Sequence, residues 1–199
     1  MEPSLQRKQS TVPTACIQVE SAVLDCKIDQ GWQLLAEFKL DVMCPGAVTK
    51  VEWVEKSAGM IGACAKITYK DGAVWTLRFD EWSEKRHSVA YELMSAEPAA
   101  ACTSIQGEIE MKRVSMSDQT FVSWLTEFSN DADLTIIQDS KYKKIEMFTD
   151  MQKTFSGSTA AGETSGAGTG TGAGAGATAA AQSSIKVHAP PGGKSSITF

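Results

Sequence analysis

The hydrophobic period of this chain changes once, near residue 130, and that change restricts the fold more than any other feature. From residue 15 to 128, with one short helical interruption, apolar residues tend to recur at every second position between turn signals. From 133 to 155 they recur at steps of three, four or eight. A period of two alternates side chains across the faces of a strand, whereas a period near 3.6 gathers them on one helical stripe. Strands closed off by one long helix point to an α+β fold, in which an antiparallel sheet buries one face against that helix.

The elements can be read in order. ACIQVESAVLD, residues 15 to 25, alternates and holds several β-formers. Asp29 can cap a helix carrying Trp32, Leu35 and Phe38 and ending near Lys39. Asp41 to Met43 adds a turn before Cys44-Pro45-Gly46 breaks it. Val48 to Lys56 is a strand, and Gly59 and Gly62 mark a turn. The clearest hairpin follows, with Cys64 to Tyr69 and Ala73 to Trp82 joined at Asp71-Gly72. Lys85 and Arg86 turn the chain into Ser88 to Met94, and Glu97-Pro98 ends that strand. Thr103 to Val114 and Thr120 to Phe128 complete about seven strands. In the last helix, capped by Asp133, the spacing predicts one face of Leu134, Ile137, Ile145, Phe148, Met151 and Phe155. Lys141, Lys143, Lys144, Asp150 and Lys153 are expected mostly elsewhere, on a helix of roughly 20 residues and about 30 Å.

From about residue 15 to 155 this order resembles the START-like superfamily, which includes the Bet v 1 allergens, polyketide cyclase/dehydrase-like proteins and plant abscisic-acid receptors. Val51-Glu52-Trp53 is similar to the second-strand pattern, Ile61-Gly62-Ala63 with Lys66 to the glycine-initiated third strand, and Ser88 to Leu93 with Tyr91 to the fifth. Asp71-Gly72 stands at the hairpin turn. The resemblance implies a helix-grip fold: a curved antiparallel sheet of about seven strands wrapped round the C-terminal helix, with a cavity between them. Its candidate lining is Trp75, Leu77, Phe79, Tyr91, Leu93, Ile109, Val122, Trp124, Ile145 and Phe148. These side chains either border a hydrophobic-ligand pocket or simply fill it. The family's ligand-gripping loops correspond to Ser57 to Gly62 and Glu97 to Cys102. Glu97-Pro98-Ala99-Ala100-Ala101 departs from the receptors' gate pattern, so hormone reception is not expected.

Composition narrows the chemistry. The formal charge is −5, and all basic residues but Lys186 and Lys194, and all acidic ones but Glu163, precede residue 157. A net-acidic domain with dispersed lysines and arginines suits nucleic acid poorly. Five cysteines, Cys16, Cys26, Cys44, Cys64 and Cys102, show no CxxC spacing, consistent with reduced thiols and a cytoplasmic location. Residues 1 to 14 are polar and lead into no long apolar run, so neither a leader nor a membrane span is expected. His87 and His188 are the two histidines and lie far apart in sequence. No nucleophile elbow or phosphate-binding glycine loop occurs, and the glycines of 166 to 176 are compositional. No catalytic residue, metal site or cofactor is therefore assigned, and the domain is expected not to be an enzyme.

After the domain the chain changes character. The reading divides it into a flexible N-terminus (1–14), the START-like domain (15–155), a Gly/Ala/Ser/Thr-rich disordered tether (156–183) and a terminal peptide (184–199). Within IKVHAPPGGKSSITF, Pro190 and Pro191 restrict the backbone, Gly192 and Gly193 allow a close approach, and Lys186 and Lys194 carry the charge. VHAPPGGKSS resembles the terminal signature of the plant Spiral family of microtubule-associated proteins and, less closely, the Pro-Pro-Gly-Gly motifs of the animal Jupiter family. Lys194 stands where the family more often has a third glycine, and the ending is shortened to Ile197-Thr198-Phe199. That resemblance implies tubulin binding through Lys186, Val187, His188, Pro190, Pro191, Gly192, Gly193, Lys194 and Phe199. The expectation is a microtubule-associated protein with a non-catalytic head and a cytoskeletal location, the cilium or flagellum and other axonemal partners included. The alternatives are a carrier of a hydrophobic lipid or polyketide and, third, a cyclase-like enzyme.

Overall fold

Seven strands form one antiparallel sheet in the computed structural model, which describes residues 16–156. The N-terminal segment, the tether beyond Ser156, which is the last residue of the final helix, and the terminal peptide lie outside the described residues. The strands are β1 (Ile17–Leu24), β2 (Val48–Glu55), β3 (Cys64–Tyr69), β4 (Val74–Ser83), β5 (Ser88–Glu97), β6 (Ile105–Val114) and β7 (Gln119–Phe128). Helices α1 (Ile28–Ala36) and α2 (Leu40–Met43) lie between β1 and β2, and α3 (Leu134–Ser156) follows β7. Sheet order is β1-β7-β6-β5-β4-β3-β2, so the first two strands in sequence are the two edges. This is a helix-grip α+β fold, as the START-like resemblance implies.

Alternation decides which face is buried. Leu77 and Phe79 of β4, Val89 and Tyr91 of β5, Ile109 and Met111 of β6, and Val122 and Trp124 of β7 are all buried in one core. Register shifts between Thr76 and Leu77 and between Phe79 and Glu81 interrupt the β4–β5 ladder, and such irregularities bend a sheet. At the hairpin Gly72 adopts φ +86°, a conformation that costs a side-chain-bearing residue. Asp71 Oδ1 accepts the Ala73 N–H at 2.9 Å and fixes the turn.

Three sequence expectations are corrected. Asp29 lies inside the first turn of α1, whose N-cap is Lys27, with Gln30 Oε1 accepting the Lys27 amide N–H at 3.2 Å. Helix α1 ends at Ala36, and Phe38, at φ +52°, leaves the helix to pack edge-on against Phe79 with ring centroids 4.6 Å apart. The phase of α3 also differs. Leu134 and Ile145 are each 41 % exposed, while Lys144 and Met147 join Phe148, Met151 and Phe155 on the buried stripe. Asp133 does cap α3, its Oδ1 accepting the Ile136 N–H at 2.9 Å.

All five buried residues of α3 lie at or beyond Lys144. The second half of the helix has further ties: Asp150 accepts the Gly46 N–H, and Gln152 Nε2 donates to the Val23 carbonyl at 3.0 Å. The first half is held more lightly. Ile136 and Ile137 are half-buried against a small cluster of Ile105, Phe128 and Ala132, separate from the main core.

Candidate functional site

The cavity is built across one row of the sheet. Phe79, Tyr91, Gly107, Thr126 and Gln18 are successive register partners from β4 through β5, β6 and β7 to β1. Glycine at 107 is required by Tyr91, because a Cβ there would lie 2.3 Å from Tyr91 Cζ and 2.4 Å from its hydroxyl oxygen. The ring lies over that gap, and its hydroxyl accepts the Trp124 Nε1–H at 2.7 Å. Burial raises the Tyr91 pKa, so the phenol keeps its own proton at neutral pH.

Above this row, α3 leaves a cavity of about 30 Å³ lined by Tyr69, Trp75, Tyr91, Ile105, Trp124, Thr126, Ser140, Lys143, Lys144 and Met147. Such a volume is of the order of a single water molecule. Most of the concave face is filled by side chains. Among the candidate lining residues, Trp75, Tyr91 and Trp124 meet at the cavity. Leu77, Phe79, Ile109, Val122 and Phe148 are packed into the core, with Phe148 edge-on to Trp124 at 6.3 Å between centroids. Leu93 is half-buried, between the main core and the small cluster near the first half of α3. Ile145 points away, for the reason of helix phase already given. The peptide residues Lys186, Val187, His188, Pro190, Pro191, Gly192, Gly193, Lys194 and Phe199 lie outside the described residues.

Lys144 supplies the site's charge. It is 5 % exposed, and its ammonium donates to Gln18 Oε1 at 3.3 Å, Ser140 Oγ at 3.1 Å and Thr126 Oγ1. It also stands 5.9 Å from the centre of the Trp124 ring. Desolvation lowers its pKa to about 8, against an opposing pull from Glu20. Among the described residues no carboxylate lies within salt-bridge distance of it; Glu20 meets Lys141 instead, at 4.0 Å. Lys143, one residue earlier, pairs with Asp71 at 2.8 Å and so ties α3 to the β3–β4 turn. From residue type alone Lys144 is expected off the apolar face, and the structure buries it. The signal that could have located it is its step to Met147, Phe148 and Met151.

The predicted segment Glu97 to Cys102 lies beside the first half of α3 and contributes no residue to the cavity. Ala100 and Cys102 pack with Ile136 and Ile137 on the small apolar cluster. Asp131 latches this end, accepting from the Thr103 N–H at 2.9 Å and Oγ1–H at 2.6 Å and from the Ser129 hydroxyl. Those hydrogen bonds lower the Asp131 pKa to about 2. The other predicted loop, Ser57 to Gly62, carries exposed Met60 and Ile61 and contributes no residue to this cavity. Among the described residues no cluster of His, Cys, Asp or Glu could hold a metal ion, and no helix is long and apolar enough to cross a membrane.

Comparison with solved structures shows the same architecture. A structural-genomics protein from Nitrosospira multiformis matches with a TM-score of 0.62 and 16% identity, covering 72% of this chain and 99% of its own. Ginseng major latex-like protein 151 from Panax ginseng matches at 0.58 and 14% identity, covering 70% of this chain and 96% of its own. Ara h 8.0201 matches at 0.58 and 16% identity, covering 71% and 97%. The neighbours have Bet v 1-like, START-like folds. No family model and no curated protein matches the chain.

Proposed function

We propose that the domain binds a small, mainly apolar molecule between α3 and the sheet and does not convert it chemically. The observation that carries this reading is an aromatic-walled cavity roofed by the middle of α3, Ser140 to Met147, where the half with no buried residue before Lys144 joins the anchored half. Ligand pockets usually measure about 300–1,000 Å³, so a cavity near 30 Å³ must open before it can hold a ligand. The element that has to move is the one with least apolar area to surrender. Local opening draws on such weakly packed segments. Its displacement would leave the second half of α3, with Met147, Phe148, Met151 and Phe155, in the core.

The test uses the full 199-residue chain. Fluorescent fatty acids and naphthalene derivatives are titrated while the emission of Trp75 and Trp124 is followed. Binding should raise the melting temperature by mass action and slow amide exchange in the first half of α3. No uptake by any probe at about 100 times a micromolar Kd would leave a filled, structural core.

A second reading concerns the terminal peptide and is favoured by its sequence: tubulin binding through Pro190 to Lys194, with the folded domain carried along a microtubule. Replacing Gly192 and Gly193 with Val restricts the backbone without changing charge. Full-length protein should co-sediment with microtubules when present during tubulin polymerisation, and the double variant should not. Equal pelleting of the two, or of neither, would remove this reading and leave the cavity.

A further inference from the structure

Lys144 is a poor choice for a residue whose task is only to fill a core. A buried ammonium carries a desolvation penalty that a methionine of similar length avoids. Its three acceptors, Gln18, Thr126 and Ser140, are neutral, so they orient the charge without cancelling it. A second donor stands nearby. The Tyr91 oxygen accepts from Trp124 Nε1, which leaves the phenolic proton free to donate, and among the described residues no acceptor takes it. Both groups line the same small cavity, whose other walls include Trp75, Trp124, Ile105 and Met147.

We propose that the cavity selects an apolar molecule ending in one carboxylate, whose oxygens sit on the Tyr91 hydroxyl and on the Lys144 ammonium, where one takes the place of Ser140 Oγ as acceptor. The inference rests on the cavity-binding reading above and names its ligand class. The present void suits the headgroup, and the apolar body would lie under the first half of α3 against the Ile105–Phe128 cluster. A carboxylate fits better than a phosphate because a dianion would meet a single ammonium. The charged and titratable groups around Lys144 are consistent with this. Glu20 reaches it from β1 and is engaged by Lys141; Lys143, on α3, is occupied by Asp71; Tyr69 and Tyr91 are held protonated by burial.

A naphthylacetic acid and its uncharged amide are nearly the same shape and differ in charge. With the full chain at neutral pH, the acid should bind at least about tenfold more tightly than the amide. Lys144→Met should erase that preference, so that the variant binds acid and amide about equally. Carboxylate binding favours protonated Lys144, so acid affinity should fall as pH rises through about 8 toward 10, and the amide's should not. Equal binding of acid and amide, or a preference that survives in Lys144→Met, overturns the carboxylate inference but not the cavity reading. Failure of both probes to bind the wild-type chain at millimolar concentration overturns both.

Discussion

Replacing Lys144 with Met should change how stability depends on pH, and the size of the change follows from where the ammonium sits. The folded-state pKa is lowered from 10.5 to about 8, chiefly by desolvation. Between those values the unfolded chain binds more protons than the folded one, so wild-type stability should rise with pH across that window. The full shift corresponds to about 3 kcal/mol, most of which should appear between pH 7 and 10. The methionine variant lacks this contribution, and the difference between the two proteins isolates it. Buried Tyr69 and Tyr91, whose pKa values are raised, act in the opposite direction above about pH 10, but they do so in both proteins. Urea denaturation of both proteins at several pH values gives the two curves. Parallel profiles, differing by less than about 0.5 kcal/mol over that range, would show that Lys144 is hydrated and refute the buried-ammonium argument.

Phe148→Ala should cost about 3–5 kcal/mol, since it empties a buried site against Trp124, and a loss below about 1 kcal/mol would show that this part of α3 is not packed on the sheet. Gly107→Ala should destabilise the domain and, by displacing the Tyr91 ring, alter Trp124 fluorescence; unchanged emission would contradict the close approach. Asp131 has a lowered pKa, so its latch contributes above about pH 4 and is lost as pH falls toward 2; Asp131→Asn should therefore flatten the acid limb of the stability curve, and an unaltered limb would argue against the latch.

The fold was legible because alternation is periodic information. Each strand's inward residues, from Leu77 and Phe79 to Val122 and Trp124, follow from a step of two once one of them is known to be buried. Asp71-Gly72 and Asp133 were legible because turn and cap chemistry is local. The site was less so. Ile145 and Lys144 are adjacent, and hydrophobicity alone puts the isoleucine inside and the lysine outside, whereas the structure does the reverse. Both faces of α3 carry apolar residues, so the phase of the helix depends on which of them the sheet can accommodate. Gly107 carries a legible signal, a glycine inside a strand, which marks a close approach. The cavity volume follows from the interdigitation of Tyr91, Trp124 and Met147, which no pattern of residue types encodes.

The placement of Lys144 also links ligand binding to the order of α3. It is the first fully buried residue of the helix, at the boundary between the lightly held half and the anchored half. An incoming carboxylate would offset the desolvation penalty at that boundary, so its binding energy would act where the helix changes from lid to core. Opening in the absence of ligand has an opposing effect: it hydrates the ammonium while giving up the contacts of Ile136 and Ile137. These two terms set the balance between closed and open forms. Removing the charge should therefore favour the closed form, and Lys144→Met should exchange amide protons in the first half of α3 more slowly than the wild-type chain does without ligand. Faster exchange in the variant would mean that the hydrogen bonds to Gln18, Thr126 and Ser140 hold the helix down more strongly than desolvation lifts it, and Lys144 would then be a clasp rather than a ligand group.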